Sequence, residues 1–316
     1  MGFSKVASVS LALTLIWSPG AFTQSRRVAV TVDDLPYAGG DSQALSPSDA
    51  TTAAAVNRTL IAALRKHHVP ATGFVIQQRV DQLGVAAGTR ILANWTGGAL
   101  DLGSHTYSHP DINQLSLAQI EDEITRGEAS IVPLMRAAGK RLQFFRFPMN
   151  HTGDTRERHD QVASFLSQRG YRVAPCTIDN SDYLFNRAYV RMLAQHDPAA
   201  DRLRAEYLSY TSAEIDYYAA LGTQVFGSEP VEIMLLHDNR LNADMITELL
   251  ALFEQKHYRF VSLDEALSDP AYRIPDTYVT SYGPMWGYRW AAERGVKVNG
   301  RLEPEPPDWV LQYGRN

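Results

Sequence analysis

A single cysteine, Cys176, occurs in 316 residues, which excludes an intramolecular disulfide and leaves the fold to rely on its own core. We read Cys176 as a small buried side chain with no catalytic role. The chain has no Lys/Arg run long enough to track a phosphate backbone, and its formal net charge is a modest −5, so nucleic acid is not expected as a partner. No fibrous or repetitive pattern is present. No apolar stretch reaches the roughly 20 residues that a bilayer-spanning helix needs, and the mature chain is expected to lack a transmembrane segment. The one apolar run near the start, Val6 to Trp17, follows Lys5 and is broken by Ser18-Pro19-Gly20 before the small residues Ala21 to Ser25. That order reads as a secretory signal peptide over residues 1–23, hence an exported protein, periplasmic or secreted. A retained N-terminal anchor is the alternative. With no cysteine after the run, a lipid anchor is not expected.

Hydrophobic residues make up 45% and charged residues 21%, a globular balance that supports a sizeable core. One large α/β catalytic domain is the economical reading, because α/β barrels run to roughly 250 residues as one unit. Short β-branched runs alternate with longer helical stretches, as βα units around a parallel sheet do. Strands are expected at Val28 to Val32, Ala71 to Ile76, Gln143 to Phe147, Tyr171 to Ile178, Val231 to Leu236 and Tyr258 to Val261. Helices are expected at Thr51 to His68, where Val56, Leu60, Ile61 and Leu64 share a face, and at Ser116 to Ala138 with Ser116 as the cap. Glu157 to Arg169 and Ala243 to Lys256 read likewise. Two regions break the rhythm. A Tyr-rich, mostly helical insertion at about 184–230 reads as an excursion beside the active site. A tail at 273–316, rich in Pro, Gly, Tyr and Trp, reads as wrapped on the domain surface, with Trp286, Tyr288 and Trp290 packing against the body.

The chemically suggestive groups fall at the C-terminal ends of these strands, where the loops of an α/β barrel assemble an active site. Asp33 and Asp34 follow the first strand directly, and adjacent carboxylates repel unless a cation or basic group separates their roles. A lone Asp-Asp pair is also an ordinary turn or helix cap. Gly103-Ser104-His105-Thr106-Tyr107-Ser108-His109 changes the balance, with two imidazoles four residues apart that a helical turn would bring to one face. A carboxylate from the aspartate pair makes this a two-His, one-Asp set with positions open for water and substrate, as metal-assisted hydrolysis requires. The residues alone do not decide which aspartate serves. Zn suits the set first, and Co, Ni, Mn or Fe also bind such donors. Arg146, in Phe145-Arg146-Phe147-Pro148-Met149-Asn150, is suited to hold a catalytic carboxylate ionised and aimed, with a surface ion pair as the plain alternative. Asp179 and Asp182 end another strand in Thr177-Ile178-Asp179-Asn180-Ser181-Asp182-Tyr183. Leu235-Leu236-His237-Asp238 brings out a histidine that is either a satisfied core residue or a general acid.

These five segments, in this order, resemble the signature motifs of the polysaccharide deacetylase family, the NodB-homology carbohydrate esterases, over about Val28 to Asp264. The resemblance implies a distorted (β/α) barrel at 26–272 bearing the helical insertion and the C-terminal tail. It implies that Asp33 is the catalytic base and that Asp34, His105 and His109 hold one divalent metal ion. Arg146 would orient the base, and Asp182 would tune His237, the catalytic acid. The backbone N–H of Met149 would meet the oxyanion. Departures from the family pattern bear on different things. Val32 stands where Phe is frequent, which concerns packing. Met149 replaces an aromatic but keeps the backbone donor. Tyr183 replaces the common Trp beside Asp182 and so reshapes the wall that meets the acetyl methyl group. The implied activity is hydrolysis of N-acetyl groups on a glycan, such as peptidoglycan or a chitin-like polymer. O-acetyl esters or a small amide are alternative substrates, and a silent carbohydrate-binding protein is the alternative from another class. Three Asn-x-Thr sequons, at Asn57, Asn94 and Asn150, are read as chance composition.

Overall fold

Ten residues, Arg26–Leu35, form β1 and seed a wholly parallel sheet. Val28, Ala29, Val30, Thr31 and Val32 are all buried, so β1 is covered on both faces, as a central strand of a parallel sheet is. The computed structural model describes residues 1–2, 26–40 and 44–315. The expected signal peptide therefore lies outside the described residues, apart from its first two.

After β1 come α1 (Ala50–Lys66), β2 (Ala71–Val75), α2 (Gln77–Gln82), α3 (Val85–Ala93), β3 (Leu100–Ser104), α4 (Leu117–Arg126), α5 (Ile131–Ala137), β4 (Phe144–Phe145) and α6 (Arg156–Gln168). The second half holds β5 (Arg172–Val173), β6 (Ile178–Asp179), α7 (Asp182–Ala194), α8 (Ala199–Phe226), β7 (Glu232–His237), α9 (Arg240–Gln255), β8 (Tyr258–Val261) and α10 (Leu263–Ala266). The tail adds α11 (Trp286–Glu293) and α12 (Asp308–Arg315). Among the described residues no helix is long and apolar enough to cross a membrane.

The strand order is β5-β4-β3-β2-β1-β7-β6, with β8 also paired to β1. One edge of β1 runs along β7 from Val28 to Asp33, while the other is shared by β8 at Arg26 to Ala29 and by β2 from Val30 onward. The two ends of that order, β5 and β6, are joined by residues 174–177 alone. A chain spans at most about 3.5 Å per residue, so the sheet has to curl until its edges nearly meet, which gives the distorted barrel. The bridging segment bonds to both sides, Ala174 N–H donating to Phe145 O (2.8 Å) and Thr177 N–H to Ile233 O (3.0 Å). Pro175 between them has no N–H to offer a ladder. The single strand expected at Tyr171 to Ile178 is thus corrected to two short strands on opposite edges.

The helix expected over Ser116 to Ala138 is likewise two helices. Ser116 does cap α4, in a reciprocal capping box with Gln119. The break follows Arg126, where a β-carbon at Gly127 would stand 2.8 Å from the carbonyl carbon of Thr106, so the turn is needed to let that loop approach. β3, α2 and α3 were not anticipated from the sequence. In the tail, Trp286 and Trp290 are buried, and Trp290 meets Phe226 and Tyr272 edge-on, each at 5.2 Å between ring centroids. Both indoles therefore pack against the body. Cys176 is buried and unpaired, as expected.

Candidate active site

Adjacent residues of a regular strand point to opposite faces, so Asp33 and Asp34 need a local irregularity to share a site. The β1–β2 register slips between Val32 and Leu35, and Asp34 takes a left-handed φ of 67°. This bulge re-aims both carboxylates into one cavity of about 540 Å³ at the C-terminal end of the sheet. His105, His109, Met149, Tyr183 and His237 line the same cavity.

His105 and His109 do come together, with ring centroids 4.7 Å apart, but not through a helix. The loop between them is irregular, with left-handed φ at Thr106 (70°) and His109 (58°). It is held from outside. The N–H groups of Gln77 and Gln78, opening α2, donate to the carbonyls of Thr106 and Tyr107 at 3.3 and 2.8 Å. Ser108 donates from its backbone and hydroxyl to Glu123, and the Arg126 guanidinium lies 3.6 Å from the centroid of the Tyr107 ring. Donor atoms of Asp34, His105 and His109 all lie within 4.8 Å of one another. His105 Nδ1 bonds to Arg146 O at 2.8 Å, which fixes it as the N–H donor and leaves the Nε2 lone pair facing the cluster. That Nε2 is 3.8 Å from Asp34 Oδ1, and His109 Nε2 is 3.9 Å from the same oxygen. Asp34 Oδ1 is buried with no hydrogen-bond partner among the described residues. A buried, unpaired carboxylate oxygen facing two imidazole nitrogens fits a divalent cation by its donor set. The other oxygen, Oδ2, accepts from Arg79 at 3.3 Å, and Arg79 is anchored to Tyr37 O at 2.8 Å.

Asp33 also comes within 3.7 Å of His105 Nε2, but its hydrogen-bond partners are a different set. Arg146, itself buried, donates from Nη1 to both Asp33 oxygens at 3.3 and 3.2 Å and from Nη2 to Thr31 Oγ1 at 3.0 Å. Parallel pairing sets Asp33 beside His237 at the ends of β1 and β7. The Asp182 carboxylate, at the start of α7, accepts from His237 Nδ1 at 2.6 Å and from the His237 backbone N–H at 2.7 Å. Asn242 also donates to it, and Tyr207 of α8 donates to Asn242 Oδ1 at 2.6 Å. The imidazole is thereby oriented, with Nε2 left for the cavity. Tyr183, about half exposed, meets the His237 ring edge-on at 5.9 Å.

The charges sort accordingly. Burial pushes Asp33 up to about 6, against the opposing pull of Arg146 and His237. Burial also opposes ionisation of Asp34, yet Arg79, His109, His237 and His105 together hold it well below the usual carboxylate range. For His237, burial disfavours the cation, but the carboxylates of Asp182, Asp34 and Asp33 override it and push the imidazole up to about 10. Burial first, and then the neighbouring His109 imidazole, hold His105 well below the ordinary histidine value, in the neutral form that could bind a metal.

The sequence reading missed Arg79, a lone arginine in a helix that was itself unread, and Tyr207 and Asn242, which lie behind Asp182. It also missed the tail's part in the site: Gly283 and Met285 line the cavity, so the tail does more than wrap the surface. Asn57 and Asn150 are buried, which leaves their sequons no room for a glycan.

A parallel, curled α/β sheet with Asp33, Asp34 and three histidines gathered in one cavity at its C-terminal end defines a distorted barrel of the kind that carries its site on the strand-end loops. The profile of the polysaccharide deacetylase family matches residues 21–174, and over them the chain is similar to that family. No curated protein matches the chain. Among solved structures, wild-type BA3943 of Bacillus anthracis, described as a CE4 family pseudoenzyme, is 18% identical with a TM-score of 0.51, over 78% of this chain and 66% of that one. A BA3943 mutant described as having restored enzymatic activity gives 18%, 0.50, 78% and 68%. The polysaccharide deacetylase Bc1974 of Bacillus cereus gives 18%, 0.49, 75% and 91%. The two BA3943 structures show that the fold is shared.

Proposed function

We propose that this protein is an exported, divalent-metal-dependent deacetylase that hydrolyses N-acetyl groups of a glycan. The observation that carries the reading is the buried, unpaired Asp34 Oδ1 facing His105 and His109, beside a carboxylate and an imidazole whose environments drive their proton affinities apart. Asp34, His105 and His109 would hold the ion, with Zn the first choice for this donor set and Co, Ni, Mn or Fe able to replace it. When bound, a divalent cation supplies Lewis-acid polarisation of a carbonyl and lowers the proton affinity of water.

The rest of the chemistry belongs to the chain. Asp33, held by Arg146, takes the proton of the attacking water. The backbone N–H of Met149 donates to the oxygen on which negative charge develops. His237, kept protonated by Asp182, gives a proton to the nitrogen as the C–N bond breaks, because an unprotonated amine leaves poorly. Tyr183 forms part of the wall that meets the acyl methyl group. The N-terminal run of the sequence supports export, and with it a cell-wall or environmental glycan.

The test is acetate release from chitin oligomers, peptidoglycan and acetylated xylan by metal-stripped protein, with each metal added back. Release from the first two, restored by one or more metals, is the expected result. Release from xylan alone points to an O-acetyl esterase, and sugar binding without release points to a silent carbohydrate-binding protein. Equal release with and without metal would sink the reading.

A further inference from the structure

We propose that Arg289 is a positioning residue for this hydrolysis: through Arg289 and Gly283, the C-terminal tail sets the backbone of Met149 and Asn150 at the mouth of the site. The inference rests on the Met149 N–H serving as the oxyanion donor.

Met149 and Asn150 are consecutive non-glycine residues with left-handed φ values of 53° and 54°. Such a pair persists only where its surroundings over-determine it. The Met149 side chain does not anchor it, being 44% exposed. The fixing contacts come from the tail. Arg289 is 1% exposed, and its Nη2 donates to Asn150 O at 2.8 Å. Its Nη1 donates to Thr152 Oγ1 at 2.9 Å and to Asp276 Oδ2 at 3.0 Å, its Nε donates to Pro284 O at 3.2 Å, and its plane lies over the Trp286 ring. One buried guanidinium thus ties three points of the tail to two points of the loop. Gly283 adds a steric stop, because a β-carbon there would stand 1.7 Å from Met149 O. The tail is itself pinned to the barrel-closing segment by Trp286 N–H donating to Cys176 O at 2.9 Å. None of these contacts involves Asp34, His105 or His109, so the tail acts on the oxyanion side of the site and not on the metal side.

The experiment compares wild-type holoenzyme with Arg289→Lys and Gly283→Ala on the glycan that the wild type deacetylates. In each variant kcat is expected to fall about 10–100-fold, toward the cost of losing an oxyanion donor, with KM and metal affinity by calorimetry within about threefold. A tetrahedral phosphonate analogue should bind at least about tenfold more weakly while the amine product binds as before. Lysine should not rescue, since an ammonium cannot reach Asn150 O, Thr152 and Asp276 in the fork geometry of a guanidinium. If Arg289→Lys is not recovered folded, Gly283→Ala, which leaves the arginine in place, carries the measurement. Unchanged kcat in a folded variant, or a loss of metal affinity that tracks the loss of kcat, overturns the inference. An active wild type with active variants overturns it alone. A wild type that binds metal and releases no acetate overturns the hydrolase reading and the inference together.

Discussion

Asp33 and Asp34 share a peptide bond at the end of β1, yet Asp33 is pushed up to about 6 while Asp34 is held far below the usual carboxylate range. Both are buried, so burial is not what separates them. Asp33 is hydrogen-bonded by one guanidinium that is already shared with Thr31 and Pro175 O, and its imidazole neighbours are His237 and, at 3.7 Å, His105 Nε2. Asp34 faces Arg79 and three imidazoles, and its Oδ1 has no hydrogen to accept. A carboxylate surrounded by positive neighbours but with one oxygen left unpaired stays ionised, which suits the cation-holding role proposed for Asp34. A carboxylate that titrates near neutrality, held at both oxygens by one arginine, suits the proton-accepting role proposed for Asp33.

Removing each carboxylate in turn tests that division, and it carries the largest expected effects. Asp34→Asn should abolish turnover and weaken metal binding by more than the roughly 10–100-fold that changes behind the ligands cost. Asp33→Asn should lower kcat by about 10³-fold, within the range of general-base contributions, while metal affinity by calorimetry stays within about threefold. If Asp33→Asn loses the ion as severely as Asp34→Asn, the two aspartates are not distinct. His237→Gln should cost about 10²-fold in kcat, again with metal retained. A folded His237→Gln protein with full activity would remove the acid from the scheme.

That the two aspartates belong together was legible in the sequence; how they share a site was not. Val28 to Val32 announced the strand and Asp33-Asp34 its end, but the bulge that turns both side chains inward depends on a left-handed φ at Asp34, which no pattern of residue types signals. His105 and His109 were recognisable by spacing, and the helical turn invoked to join them was wrong. Thr106 and His109 are left-handed, and the loop's shape is set by α2, Glu123 and Gly127, all distant in sequence. The same holds for the barrel closure: Tyr171 to Ile178 looks like one β-branched run, and its division between two sheet edges is decided by Phe145 and Ile233, to which it bonds. Arg79 and Arg289 are single arginines in helical surroundings, and only the folded chain brings them against Asp34 and Asn150.

The smallest expected effect is a shift rather than a loss, and it probes the Asp33 side directly. The proposed scheme needs Asp33 as a carboxylate, so kcat/KM should rise as pH passes about 6, and His237 as an imidazolium, so it should fall as pH passes about 10. Burial raises the Asp33 value and the Arg146 charge opposes it. Removing that charge in Arg146→Met leaves burial less opposed, so the acid limb must move to higher pH. The alkaline limb, set by Asp182 against His237, should stay where it is, because that carboxylate keeps its imidazole and Asn242 partners. A pH profile of residual kcat/KM in Arg146→Met, compared with wild type at matched metal loading, separates the two limbs. An acid limb that stays in place or moves down would mean that a group other than Asp33 accepts the proton, and the contrast between the neighbouring aspartates would then rest on the ion alone.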